Sequence, residues 1–235
     1  MTTSERKGRP DPGDVRGVVV DIDGTLSDSS RRIGVDVIAA LRNVNDSGVP
    51  VMLASGNVLP IAYSLGVYLG FDGPIIAENG GIVCHKQRVW TLASPETPRM
   101  AYDHLVSKMP VEKLFTDRWR ETEVGIKQET SLEEVRRLVE GFDVDVQSTG
   151  WAIHIMQRGM DKYVGLEKAC EIAGICVDDM AAIGDSENDE RMLQSCGWGV
   201  AVGNAPESTK RVASHAVDGE SWAGVVEALS WLRLI

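Results

Sequence analysis

The chain has 235 residues, with 24 Lys and Arg against 35 Asp and Glu, for a formal net charge of −11. Hydrophobic residues make up 43% and charged residues 25%, which excludes wholesale disorder and leaves enough apolar material for a real core. The acidic balance argues against a nucleic-acid partner, which needs a basic face, but not against a small phosphorylated ligand, because a bound cation reverses the local field.

No run of about 18 apolar residues exists to cross a membrane. The four cysteines, Cys84, Cys170, Cys176 and Cys196, are scattered without a C-x-x-C pair and read as the reduced thiols of a cytoplasmic protein. Residues 1–14 mix charges with Gly and Pro and read as a flexible tail.

The Val-rich run 17–23 predicts a strand buried on both faces, broken by Gly24 and Thr25. Val37, Ile38, Leu41 and Val44 then share a helical stripe, with Gly48 as a stop. Residues 49–54 predict a second strand ending at Ser55-Gly56-Asn57, and a helix carrying Ile61, Leu65 and Leu69 follows. Residues 74–77 predict a third strand ending at Glu78-Asn79-Gly80-Gly81. This alternation implies a parallel sheet with right-handed crossovers.

From residue 83 the rhythm changes to short strand-like pieces at 88–92, 122–127 and 151–156. Ser131 and Glu134 are spaced as a capping box before a helix carrying Leu132, Val135, Leu138 and Val139. Residues 83–155 are therefore read as a small α+β insertion between two core segments, 15–82 and 156–235. After Gly159 come a helix over 161–173 closed by Gly174 and a strand over 180–183 ending at Gly184-Asp185. A helix with Met192 and Leu193, strands at 198–202 and 215–217, and a last helix with Trp222, Val225 and Leu229 complete the pattern.

In an open parallel sheet, ligands bind beyond the carboxyl ends of the strands. Asp21 and Asp23 end the first strand, Asp185 ends a later one, and Asp189 follows one helical turn on. Four converging carboxylates repel one another, and a hard cation with oxygen ligands, such as Mg²⁺, relieves this. Two carboxylates on an apolar strand are costly without such a partner.

Asp21-Ile22-Asp23-Gly24-Thr25 resembles the D-x-D-G-T signature of the haloacid-dehalogenase-like superfamily of phosphohydrolases. Ser55, Lys162 and Gly184-Asp185-Ser186-Glu187-Asn188-Asp189 are similar to its other three signatures, in the right order, and the resemblance runs from Val15 onward. It implies an α/β fold: a Rossmann-like core with a parallel sheet flanked by helices, plus an inserted cap of the C2 type. It further implies Asp21 as nucleophile, giving an aspartyl-phosphate, and Asp23 as general acid and then base. Mg²⁺ would be held by Asp21, the main-chain carbonyl of Asp23, Asp185 and, directly or through water, Asp189. Ser55 and Lys162 would bind the phosphoryl oxygens, with hydrogen bonds added by Thr25, Gly56 and Asn57. Asn188 would orient Lys162 or the phosphoryl group.

The short cap and Ser55-Gly56-Asn57 most resemble archaeal phosphoglycolate phosphatases, which implies Mg²⁺-dependent hydrolysis of 2-phosphoglycolate to glycolate and phosphate. Alternatives on the same fold are a phosphatase of a phosphorylated disaccharide or of mannosyl-phosphoglycerate, and a phosphomutase. A non-catalytic phosphate binder has no need for the Asp21 and Asp23 pair. The expected partner is a small phosphorylated metabolite, and exposed apolar cap surface would suit a homodimer. His154 is weighed as a residue of the cap's inner face, and the tryptophans as core or interface residues.

Overall fold

Every residue of β1 (Gly17–Asp21) is buried, as a Val-rich strand enclosed on both faces must be. The computed structural model describes residues 12–149 and 151–235. Of the expected tail, residues 1–11 lie outside the described residues, and Pro12–Asp14 form a short 3-10 turn.

The first core segment continues through α1 (Val35–Asp46), β2 (Val51–Ala54), α2 (Leu59–Leu69) and β3 (Ile75–Ala77). A hairpin of β4 (Ile82–His85) and β5 (Arg88–Thr91) follows. The inserted segment then supplies α3 (Glu96–Val106), β6 (Val124–Lys127), α4 (Leu132–Val139), β7 (Val144–Ser148) and β8 (Ala152–Gln157). The chain returns with α5 (Lys162–Ala173), β9 (Met180–Gly184), α6 (Glu190–Ser195) and β10 (Trp198–Ala201). It closes with α7 (Glu207–Val212), β11 (His215–Ala216) and α8 (Ser221–Trp231).

The large sheet has the order β11-β10-β9-β1-β2-β3-β4-β5, parallel from β11 to β3 and antiparallel at β4 and β5. Alternation along β1 splits its side chains between two layers. Val18 and Val20 pack with Val37 and Leu41 of α1 and Val225 and Leu229 of α8. Val19 packs on the other face with Leu166 and Ala169 of α5 and Leu193 of α6. The small sheet, β6-β8-β7, is antiparallel and buries Ile126, Ile153 and Ile155 against Leu105 of α3 and Val135 of α4. Ser131 Oγ accepts from the Glu134 N–H at 3.4 Å, so α4 starts at the predicted cap.

One expected boundary changes. An insertion starting at residue 83 would take β4 and β5 out of the core, whereas both strands extend the large sheet from β3. The reason is local: Lys86 and Gln87 adopt φ of 47° and 65°, the left-handed pair that closes a tight hairpin. That turn folds β5 back along β4 instead of releasing the chain toward the small sheet.

Register then sets the site. Asp21 pairs with Ala54, and Val20 with Ile183. Asp21, Ser55 and Asp185 therefore emerge side by side at the carboxyl edge of three parallel strands. The turn after β3 is unusual, since Glu78, Asn79 and Gly80 all have positive φ (49°, 49° and 95°). Their backbone knits the loops together: Glu78 N–H donates to Asn57 O at 2.9 Å and Asn79 N–H to Ser55 O at 3.1 Å. A Cβ at Gly80 would lie 2.0 Å from Asp161 O, so only glycine lets the start of α5, and with it Lys162, approach this edge.

Candidate active site

Asp161 caps α5, its Oδ1 accepting from the Val164 N–H at 3.0 Å, and this leaves Lys162 at the first helical position with its side chain turned inward. Lys162 is 1% exposed. Its Nζ donates to Asp21 Oδ1 at 2.5 Å and to Asp189 Oδ1 at 2.6 Å. Burial alone would lower the lysine's pKa, but the two carboxylates outweigh it and hold the ammonium above the usual lysine range. Burial, helped by the nearby Asp189 and Asp185 charges, pushes the Asp21 carboxyl well above its ordinary value despite Lys162. Burial and Asp189 likewise push Asp185 up to about 6.

Oxygens of Asp21, Asp185 and Asp189 lie within 4.8 Å of one another. Asp21 Oδ2 is buried and, among the described residues, has no hydrogen-bond partner. An all-oxygen donor set with one orphaned carboxylate oxygen fits a hard divalent cation, which would also favour the charged forms of Asp21 and Asp185. Asp189 is the most committed of the three. Its Oδ1 takes Lys162, and its Oδ2 accepts from the Asp185 N–H, Ser186 N–H and Ser186 hydroxyl, each at 3.1 Å. The carboxylate of Asp23 stands outside this triad, as a carbonyl ligand would allow.

Several residues expected at the phosphoryl group do other work in this structure. Thr25 donates its hydroxyl to Asp185 Oδ1 at 2.6 Å, so it orients a metal-ligand candidate. Asn57 donates its amide to Asp23 Oδ2 at 2.5 Å and to Ser55 Oγ at 3.2 Å, so it holds the expected acid in place. Ser55 is buried, and its hydroxyl also accepts from the Asn57 N–H at 3.0 Å. Asn188 accepts from the Ser186 hydroxyl at 2.5 Å and donates to Asn79 Oδ1 at 3.2 Å. Gly56 leaves room for its neighbours on both sides, because a Cβ there would sit 3.0 Å from Asn79 Oδ1 in the turn after β3 and 3.3 Å from His154 Cε1 of the inserted segment.

A cleft of about 250 Å³ opens over these residues and is lined by Asp21, Asp23, Asn57, Lys162 and Asn188 from the core. Its far wall carries Phe115, Arg120, Trp151 and His154 from the inserted segment. A wider opening of about 580 Å³ lies between α4, β7 and the 187–190 region and meets neither Asp21 nor Lys162.

The far wall holds a buried group that sequence reading missed apart from His154. Glu123 accepts from Arg120 Nη1, pairs with His154 Nδ1 at 2.8 Å, and accepts from Asn79 Nδ2 at 3.0 Å. His154 and Arg120 outweigh burial and hold the Glu123 carboxyl below its ordinary value. Arg120 also donates to Gly56 O at 3.0 Å. Glu78 accepts from the N–H groups of Glu121 and Thr122 and from the Thr122 hydroxyl, tying the 121–122 stretch to the end of β3. Burial and the neighbouring Glu123 raise the Glu78 pKa. The one sequence signal for this wall is the run Glu78-Asn79-Gly80-Gly81 at a strand's carboxyl end, where side chains face ligands.

The profile of the haloacid dehalogenase-like hydrolase family matches residues 18–116 and 126–229. A phosphoglycolate phosphatase of Methanothermobacter thermautotrophicus is 36% identical over 215 residues, covering 92% of this chain and 97% of that protein. One from Methanopyrus kandleri is 38% identical over 219 residues, covering 90% and 94%. The crystal structure of Thermoplasma acidophilum 0175 superposes with a TM-score of 0.87 at 29% identity, covering 94% of this chain and 99% of that one.

Proposed function

The chain belongs to the haloacid dehalogenase-like hydrolases, and from that premise we propose that it hydrolyses 2-phosphoglycolate to glycolate and phosphate through an aspartyl-phosphate at Asp21. The observation that carries this reading is the pairing of Asp21 with a buried Lys162 beside a carboxylate oxygen that has no partner among the described residues, at the carboxyl edge of the sheet. Asp21 attacks phosphorus while the bond to the glycolate oxygen breaks. Asp23, held by Asn57, gives its proton to the departing alkoxide. Asp23 then takes a proton from water, the water attacks the phosphorus of the intermediate, and phosphate leaves with Asp21 restored.

Lys162 balances the charge of the phosphoryl oxygens, and the Ser55 hydroxyl has a proton to donate to them. A bound Mg²⁺ would neutralise phosphoryl charge beside Asp21 and Asp185, with Thr25 fixing the orientation of Asp185. The wall from the inserted segment acts as a cap that excludes water, and a cleft of about 250 Å³ suits a short leaving group.

Phosphate release from 2-phosphoglycolate, sugar phosphates and an aryl phosphate, with Mg²⁺ and with excess chelator, tests the reading. The expected result is preference for 2-phosphoglycolate and loss of turnover with chelator. Sugar-selective release would overturn the substrate, and release indifferent to chelator would overturn the cation.

A further inference from the structure

The geometry points to Arg31 as the residue that selects the leaving group, by binding its carboxylate at the mouth of the cleft. The inference rests on the proposed phosphatase reading, which supplies a phosphorylated carboxylic acid as substrate. The cleft is lined by three residues that carry a fixed cation, and two of them already stand beside carboxylates, although the Nε of one, Arg120, is buried without a partner among the described residues. Lys162 is held between Asp21 and Asp189, and Arg120 is neutralised by Glu123 and anchored on Gly56 O. Arg31 differs: among the described residues, no carboxylate lies within ion-pair range of it.

Arg31 is nevertheless held in place. Its backbone sits at φ 59°, in the left-handed region, at the centre of a short loop. Asp28 organises that loop, its Oδ1 accepting from the N–H groups of Ser30 and Arg32 at 2.9 Å each. Asp28 O accepts from the Arg31 N–H at 2.8 Å. A non-glycine residue in that region costs free energy, which the surrounding turn has to offset.

The guanidinium lies over the Trp151 ring, 4.8 Å from its centroid. Arg31 belongs to the core and Trp151 to the inserted segment, so the contact spans the cleft mouth. A guanidinium resting on an aromatic face keeps its N–H fork available at its rim, the geometry that accepts a carboxylate in two parallel hydrogen bonds. A phosphorylated acid seated with its phosphoryl group at Asp21 and Lys162 would turn its other end toward this fork. Ile61, Leu114 and Phe115 add apolar surface to the cleft, and Thr116 and Thr149 add neutral hydroxyls, so Arg31 is its one fixed cation among the described residues without a carboxylate partner.

The test measures binding to the inactive Asp21→Asn protein, so that chemistry does not enter. The two ligands are 2-phosphoglycolate and 2-hydroxyethyl phosphate, in which a neutral CH2OH replaces the carboxylate. Adding Arg31→Gln is expected to weaken 2-phosphoglycolate about 10–100-fold, the worth of a charge-assisted pair, and 2-hydroxyethyl phosphate less than about 3-fold. Arg31→Lys, which keeps the charge and loses the fork, should fall between. Trp151→Ala should cost a few-fold, on the scale of an exposed cation–π contact. Equal weakening of both ligands, or of neither, overturns the assignment. The phosphatase reading fails separately, if the unmodified chain releases no phosphate while the Arg31 effect on binding persists.

Discussion

The two ends of the cleft handle buried charge in opposite ways. At the core end, Asp21, Asp185 and Asp189 crowd around Lys162, and among the described residues one carboxylate oxygen is left without a donor. At the far wall, Glu123 is shared by Arg120, His154 and Asn79. The first arrangement carries excess negative charge and is unstable unless something positive enters, which is the property a cation and phosphoryl site needs. The second cancels its own charge and acts as a strut joining the inserted segment to Gly56 and Asn79. Chemistry is therefore expected to be sensitive at the core end, and stability at the wall.

The largest effect should come from Asp21→Asn, which removes the proposed nucleophile and should lower kcat by about 10⁴-fold or more. Stopped turnover with an unchanged fold by circular dichroism is the expected result, and near-normal turnover would end the aspartyl-phosphate reading. Next in size, Glu123→Ala strands Arg120 in the interior and should cost about 3–5 kcal/mol in urea unfolding. The pH dependence has a defined sign. The Glu123 carboxyl is held below its ordinary 4.5 in the folded protein, so its contribution is complete above that pH. It is lost as pH falls through the lowered folded value, so the gap between variant and parent should narrow at acid pH. A gap that widens there would contradict the strut.

Thr25→Val tests whether that hydroxyl serves Asp185 or the phosphoryl group. Loss of an orienting hydrogen bond should raise the Mg²⁺ concentration for half-maximal activity about 10–100-fold. A rise in KM for substrate at saturating Mg²⁺ would restore the phosphoryl role instead. The smallest change is Ser131→Ala, remote from both ends of the cleft, which should cost about 0.5 kcal/mol of stability through the lost cap and leave turnover unaltered.

The core end was legible because its residues lie in contiguous runs at strand ends. Asp21, Ser55 and Asp185 each follow an apolar run, and parallel pairing must bring such ends to one edge. The wall was not legible, because Arg120 and Glu123 sit in an irregular stretch and His154 alternates on a strand without a ligand spacing. Their function as a unit depends on which loop each meets. The strand-end position of Glu78 marks it as facing the site, but not that its partner is the 121–122 backbone, 43 and 44 residues away. Short strands near a change of rhythm look alike whichever sheet receives them, so the sequence does not separate the hairpin of β4 and β5, which extends the large sheet, from the insertion that follows it.

The amino-acid sequence by itself determined the α/β rhythm, the parallel sheet and the carboxylates at its edge, since these follow from local periodicity and strand-end position. Tertiary structure alone decided that Thr25 faces Asp185, that Asn57 faces Asp23, and that Arg31 rests on Trp151. Hydrogen bonds and ring contacts need atoms within a few ångströms: Asn57 and Asp23, 34 positions apart, and Thr25 and Asp185, 160 apart, meet at that range only once the strands of the large sheet are aligned, and Arg31 meets Trp151 only once the inserted segment has packed over them.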